Sequence, residues 1–374
     1  MRIAFLCKRQ YTNKDVIFDR FGRLYEIPLQ LARLGHEVRA YCVSYQGHSS
    51  GRWVHEVSGD GALEWSSTSL NGPRVLNMPR YPWQLLTSLG AWHPQVLIGA
   101  SDIPHAALTR WLADRLQVPY ALDIYDNFAG YGQARIPGFM PALRWAIKKA
   151  SLVVAVSQPL RDLIVKHYDT TGSVVVIPNC AETALFRPQD KAQCRQSLGL
   201  PLHAKLVGTA GGLEAVRGVD VLYRAWETLS RQEPDLHLVL AGTVDPNCPP
   251  PVGERVHYLG QLPHVRTAQL FGALDVGVVY LRDTAFGRLC FPQKAVEMQA
   301  CNLPYVAANI GVMGELLGEV PGNLYEAGSA DDLVRAVRRQ LLGPTRANFL
   351  ANDWAQVVAD LEHKLISSMG APAA

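Results

Sequence analysis

Apolar residues along this chain fall into short unbroken runs, separated by longer stretches with helical spacing. Ile3, Phe5 and Leu6 leave no polar face over Met1–Cys7, so the pattern predicts a buried strand there. Leu24, Ile27, Leu31 and Leu34 then recur at three- and four-residue intervals within 21–34, a helix that Gly35 stops. Strand-like runs follow at Val38–Val43, Val96–Ala100, Tyr120–Ile124, Leu152–Val156 and Val174–Ile177. Helical patterns over 105–116, 140–150 and 158–167 lie between the later ones. Parallel neighbours need a crossover of about a dozen residues, so this alternation predicts a parallel, doubly wound sheet.

After Pro178-Asn179 the pattern pauses in a polar stretch containing Pro188 and Pro201, then restarts. Strands are expected at Leu206–Ala210, Leu236–Ala241, Val256–Leu259, Val276–Tyr280 and Tyr305–Ala308. Helical segments are expected over Val219–Arg231, Gln269–Ala273, 293–300 and 330–342, with a closing helix over 346–367. The architecture predicted is α/β, with one Rossmann-like unit over 1–185 and a second over 186–345. The segment 346–374 is expected to cross back to the first unit. A length of 374 residues agrees with two domains of about 150 each. Ligands of such sheets collect beyond the carboxyl ends of the strands, and with two facing units the natural site is the cleft between them.

Charge and cysteine usage narrow the chemistry. The net charge of +3 is too small for a nucleic-acid-binding surface. Its distribution says more: residues 1–185 carry 19 Lys and Arg against 14 Asp and Glu, and the rest carry 17 against 19. The first half is therefore the one suited to a phosphate-bearing or membrane-linked partner. Seven scattered cysteines without a CxxC pair indicate neither a zinc site nor a disulfide framework, which implies a reducing cytoplasm. No run has the 18 or so apolar residues that span a bilayer, and Ile3–Cys7 is too short for a signal-peptide core.

The strongest chemical signal is residues 291–307, FPQKAVEMQACNLPYVA. A loop enters a helix carrying Lys294 in its first turn and Glu297 three residues on, along the same face. Such a helix start attracts phosphate, Lys294 adds a full charge, and Glu297 has the two acceptor oxygens that a ribose diol requires. A solvated Lys–Glu pair has the same spacing. The first loop, with Lys8, Arg9 and Lys14, reads either as a solvated basic loop or as a phosphate site. His105, after Ser101-Asp102 at a strand's carboxyl end, reads either as a helix-start residue or as an acceptor contact. Residues 135–149 mix Phe139, Met140 and Trp145 with Arg135, Arg144, Lys148 and Lys149; they suit an ordinary helix or a surface docking peripherally on an anionic membrane.

The 291–307 run resembles the corresponding helix of retaining GT-B glycosyltransferases of family 4, in which a loop, a Glu-bearing helix, a small residue and Pro-Val follow in this order. Three further stretches are similar to that family in the expected sequence: 23–38 (RLYEIPLQLARLGHEV), 175–188 (VVIPNCAETALFRP) and 211–220 (GGLEAVRGVD). The resemblance implies a transferase that moves a sugar from a UDP- or GDP-linked donor to a glycan or lipid-linked acceptor, without cofactor or metal. It places the nucleotide on the second unit, at Gly211, Gly212, Arg217, Leu262, Gly287, Phe291, Pro292, Lys294 and Glu297. It places the acceptor on the first, at Lys8, Arg9, Asp102, His105 and Asn127. The catalytic set it implies is Arg217, Lys294, Tyr125 and Asp126.

Three departures from the family pattern stand out. Gly212 occupies the place of the family's phosphate-binding Arg and Arg217 that of its Lys, which makes Lys294 the candidate for the missing cation. Leu289 replaces the first glutamate of the E-x7-E motif, so backbone around Gly287–Pro292 would take over the sugar hydroxyls. Tyr125 stands where many members carry a histidine, in Asp123-Ile-Tyr-Asp-Asn-Phe128. A sugar-nucleotide 2-epimerase or a non-catalytic binder of the same fold shares the donor motifs.

Overall fold

The computed structural model describes residues 1–11, 14–70, 79–130, 132–347, 349 and 351–370. The chain divides into two compact units, Asn179–Asp353 and the remainder, Met1–Pro178 with the chain from Trp354 on. Both crossings differ from the sequence expectation for a local reason. Asn179 Nδ2 donates to the Phe291 carbonyl at 3.1 Å and the Gln293 amide donates to the Cys180 carbonyl, so the second unit claims the chain from 179 rather than 186. At the other end, Gln299 donates to the Ala347 and Phe349 carbonyls, and Thr183 donates to Asp353. The closing helix therefore starts at Trp354, not at 346, and packs on the helix Arg23–Arg33 of the first unit.

In the first unit the strands are β1 (Arg2–Lys8), β2 (Gln10–Tyr11), β3 (Lys14–Asp15), β4 (Glu37–Ser44), β5 (Gly51–His55), β6 (Ala62–Ser69), β7 (Val96–Ala100), β8 (Tyr120–Ile124), β9 (Leu152–Ala155) and β10 (Ser173–Val176). Eight of them form one sheet in the order β10-β9-β8-β7-β1-β4-β6-β5. Every neighbour is parallel except β5, which runs against β6. Neither β5 nor β6 is visible as an apolar run. In β6 the buried positions are Leu63, Trp65, Ser67 and Ser69, so half of the inward face is serine. The short antiparallel pair β2–β3 and the helix Tyr81–Trp92 were likewise not anticipated.

The second unit holds β11 (Lys205–Ala210), β12 (Leu236–Ala241), β13 (Val256–Tyr258), β14 (Val276–Val279), β15 (Tyr305–Ala308) and β16 (Leu324–Tyr325). They form an all-parallel sheet in the order β13-β12-β11-β14-β15-β16. Leu206, Val207, Leu238, Val239, Leu240, Val276 and Val278 are fully buried along its centre, as expected of a sheet covered on both faces.

In both sheets the order reverses beside the first parallel strand. The reversal lies between β1 and β7 in the first unit and between β11 and β14 in the second. The loops leaving those strands flank the crevice where doubly wound sheets take their ligands. A buried ion pair fixes the first unit around its reversal. Arg23, fully buried, meets the Asp123 carboxylate at 2.8 Å and donates to the Ile177 carbonyl at 2.7 Å. It thus ties the first helix, the end of β8 and the last residues of the unit together. Removing either partner leaves an uncompensated buried charge.

Candidate functional site

At the reversal of the second unit, β11 runs out into Gly211-Gly212. Gly211 has φ of +118°, and a methyl on it would sit 3.6 Å from Lys294 Nζ. A methyl on Gly212 would lie 3.1 Å from the Glu214 carboxylate and 3.5 Å from Arg217 Nε, which that carboxylate holds. Two cations from distant parts of the sequence therefore converge on one glycine pair. Arg217 is half-exposed and held by Glu214 at 2.9 Å, with its guanidinium 5.4 Å from the centre of the Phe286 ring. Lys294, in the first turn of the helix Gln293–Ala300, has its ammonium 4.1 Å above the Tyr280 ring and 3.4 Å from the Thr209 hydroxyl. Among the described residues it has no carboxylate within salt-bridge reach.

Burial first, and then the charge of Arg217, pull the Lys294 pKa down to about 7, while Glu297 opposes the shift. Glu297, only 6% exposed, moves the other way. Burial raises its pKa to about 7 against the pull of a hydrogen bond from Gln293 and the charge of Lys294. Both groups thus change charge near neutral pH, the kind of perturbation that clusters at functional sites.

Close backbone packing supports the glycine pair. Gly211 N–H donates to the Ala241 carbonyl at 3.0 Å. Gly242, at φ of +134°, approaches so closely that a methyl on it would lie 1.7 Å from the Gly211 carbonyl oxygen. Gly242→Ala is expected to cost about 3 kcal/mol through overpacking and backbone strain. A denaturation midpoint unchanged from the native chain would contradict that packing. Tyr280 donates to the Gly212 carbonyl at 2.6 Å, and Arg282 braces the next turn through the Ala215 carbonyl and Asp220, both at 2.7 Å. Sequence reasoning missed Tyr280, Thr209 and Arg282. An aromatic residue closing a valine-rich strand reads as core.

The remaining donor candidates border this end of the sheet. Gly287 packs under the Arg282 carbonyl, Phe291 and Pro292 lead into the Lys294 helix, and Leu262 is partly buried after Gly260, whose carbonyl accepts from Gly242 N–H at 2.8 Å. Leu289, where a second carboxylate would stand, is buried.

The first unit revises several expectations. Arg9 is only 1% exposed: it pairs with Asp15 at 2.8 Å, donates to the Ser49 carbonyl at 2.7 Å, and lies between Phe18 and Trp53. It pins the first loop and does not present charge to an acceptor. Lys8 is half-buried, and its N–H donates to Ser101 Oγ at 2.8 Å. Tyr125, assigned a catalytic part, instead donates its hydroxyl to the Ser101 carbonyl at 3.2 Å while its ring packs edge-on against Tyr11 and Phe128. Its contacts are those of a positioning residue. Asp126 accepts the Asn127 N–H at 2.7 Å.

Asp102 and His105 come together at the reversal. Asp102 is fully buried, caps the helix Ile103–Leu116, and lies 2.6 Å from His105 Nδ1. Its carboxyl is held below the usual range because His105 outweighs the effect of burial. Nδ1 therefore carries the proton. Tyr45 donates to the same carboxylate at 3.2 Å. Among the described residues His105 Nε2 is buried without a hydrogen-bond partner, and Ser101 beside it is held at φ of +88°. Among the described residues no group of three or more His, Cys, Asp and Glu could hold a metal ion.

Comparison with known proteins adds independent findings. Residues 23–180 match the model of the glycosyl transferase 4-like domain, and residues 204–342 match that of glycosyl transferases group 1. Curated relatives include D-inositol 3-phosphate glycosyltransferases. That of Corynebacterium aurimucosum is 31% identical over 51% of this chain and 48% of its own length, and that of Catenulispora acidiphila 30% identical over 53% and 50%. The chain spans about half the length of the curated relatives it matches. Among solved structures, a sucrose-phosphate synthase from Thermosynechococcus elongatus superposes with a TM-score of 0.70 at 19% identity, covering 98% of this chain and 96% of the other. HepE from Anabaena in complex with UDP-glucose superposes with a TM-score of 0.70 at 16% identity, covering 98% and 100%. At these identities the structural likeness shows the fold alone, GT-B with two Rossmann-like units.

Proposed function

Because the chain belongs to the GT-B glycosyltransferases of family 4 type, we propose that it transfers a sugar, with retention of configuration, from a UDP- or GDP-linked donor to a glycan or lipid-linked acceptor. The second unit holds the donor and the first the acceptor. Synthesis of a bacterial surface polysaccharide or glycolipid is the setting that suits such an acceptor. The observation that carries the reading is the convergence of Arg217 and Lys294 on Gly211-Gly212 at the strand-order reversal.

Bond breaking at the anomeric carbon leaves negative charge on the β-phosphate. Fixed cations and backbone N–H groups aimed at that position stabilise it most, because they need no reorganisation when the charge develops. Arg217 offers a fork to two phosphate oxygens, and Lys294 offers a compact charge beside Gly211. Glu297 accepts from the ribose diol. Leu289 supplies no carboxylate to the sugar hydroxyls, so backbone around Gly287–Pro292 serves them. The departing phosphate itself takes the acceptor proton on the same face, and the acceptor lies against Lys8, His105 and Asn127, with the buried Asp102 holding His105 in place. Asp126 stays with this group at the end of β8, beside Tyr125.

Incubating the chain with UDP- and GDP-sugars and following release of the nucleoside diphosphate tests this reading. Slow hydrolysis without acceptor is expected, undiminished by EDTA since the two cations serve the leaving group. Loss of activity in EDTA would overturn metal independence. A changed sugar still attached to its nucleotide would mark an epimerase, and binding without turnover a sugar-nucleotide-binding protein.

A further inference from the structure

Two histidines meet at the edge of the second sheet, one on β12 and one on β13. His237 and His257 are both half-buried, and His237 Nδ1 lies 2.9 Å from His257 Nε2. Their ring centroids are 5.2 Å apart and their planes differ by 8°. The centroids are farther apart than the nitrogens by two ring radii, so the rings are coplanar, edge to edge, nitrogen facing nitrogen. One ring N–H donates and the other nitrogen accepts, whichever tautomers the two rings hold. Nitrogens aimed at each other, rather than at a common third point, share a proton and not a metal ion.

Such a pair has room for one proton between its nitrogens. Protonating both rings sets two N–H groups head to head, and the contact must open. The surroundings do not relieve this. Burial first, then the facing ring and Arg255 just before β13, hold the His237 pKa below its usual value, against the pull of Asp235 just before β12. Burial holds His257 low as well.

The pair sits where a local opening reaches the glycine turn. β13 has three residues and ends the sheet, held to β12 in the register Leu238–Val256, Val239–His257 and Leu240–Tyr258. Tyr258, the residue after His257, donates its hydroxyl to the Gly242 carbonyl at 2.7 Å. Two residues further on, the Gly260 carbonyl accepts the Gly242 N–H at 2.8 Å. Gly242 is the residue packed against Gly211. The edge strand and its continuation thus make two of the bonds that keep the turn in place. We propose that the His237–His257 pair is a proton-sensitive latch, fastening β13 at neutral pH and releasing it in acid, which loosens the Gly211–Gly242 packing. The consequence for nucleotide binding rests on the donor reading above; the latch itself does not.

A released strand takes a proton on each ring below the ordinary histidine pKa of about 6.5. The latched pair takes at least one fewer, so the latch is fully stable above that pH and weakens as pH falls below it. Its opening equilibrium should approach a tenfold rise per pH unit for each proton excluded, about 1.4 kcal/mol. Hydrogen exchange of the full chain, followed by mass spectrometry on peptides covering 254–260 and corrected for intrinsic rates, measures that opening. Between pH 7.5 and 5.5 it should grow about tenfold in the native chain. His257→Gln keeps a hydrogen-bonding partner that takes no proton, and His237→Gln does the same from the other side; neither should show the rise. His36 and His55, also held low, lie in the first unit, where β7 peptides report any general loosening. No acid response in the native chain, or an equal response in the folded variants, would overturn the latch. Affinity for UDP or GDP should fall less from pH 6.5 to 5.5 in His257→Gln than in the native chain, leaving the part due to Glu297. An identical fall would overturn the link to the turn. If neither nucleotide binds, the donor reading fails and exchange alone decides the latch.

Discussion

Replacing Lys294 with alanine is expected to lower turnover of the nucleotide-sugar by about 10²–10³-fold, the usual cost of losing one preorganised group at a developing oxyanion. The reason is geometric. The ammonium lies against Gly211 and over Tyr280, with Arg217 the other cation at the turn and, among the described residues, no carboxylate within salt-bridge reach. A second consequence follows from its pKa of about 7. Below that pH the side chain carries its charge and meets an anion directly. Above it the free protein holds a neutral amine, and a diphosphate must draw in a proton as it binds. Affinity for the nucleoside diphosphate should therefore fall as pH rises from 7 to 9, by up to about tenfold per pH unit. Lys294→Arg, charged throughout, should remove that dependence. Turnover within a few-fold of the native chain in Lys294→Ala would assign the phosphate to Arg217 alone.

Glu297→Ala is expected to weaken donor binding by about 10²-fold, through loss of two charge-assisted hydrogen bonds to the ribose. Its pKa of about 7 adds a lower limit to the working range. As pH falls below 7 the carboxylate takes a proton, one oxygen ceases to accept, and affinity declines on the acid side. Together with Lys294 this gives an affinity that is greatest near neutral pH, the two groups titrating as a coupled pair. Isothermal titration with the nucleoside diphosphate and with its base-free analogue, ribose 5-diphosphate, separates the terms. Glu297→Ala should weaken both equally if the diol is its partner. Native affinity in this variant would remove Glu297 from the ribose.

The sheets were legible wherever a strand is apolar on both faces, as in β1, β7 and β11, and wherever Gly35 or Pro178 punctuates the pattern. β6 was not, because Ser67 and Ser69 share its buried face with Leu63 and Trp65. Spacing alone brought Lys294 and Glu297 together on one helix. It could not show that Lys294 reaches across to Gly211, because that contact joins residues 83 positions apart through the sheet. Arg9 shows the opposite failure. A basic loop looks available in one dimension, yet Asp15, Ser49, Phe18 and Trp53 close over the guanidinium in three. Tyr125 was read as chemistry for its place after β8, where its hydroxyl holds the strained Ser101 turn instead. The Asp102–His105 pairing was visible as a spacing, but the unmatched Nε2 was not.

The most direct measurement is calorimetric titration of the full chain with UDP and with GDP at pH 8, in two buffers of different ionisation enthalpy. One of the two nucleotides should bind with net proton uptake in the native chain, without it in Lys294→Arg, and with much reduced affinity in Lys294→Ala. Failure of both nucleotides to bind, or binding that Lys294→Ala leaves unchanged, would contradict the assignment of the Gly211–Lys294 cradle to the donor diphosphate.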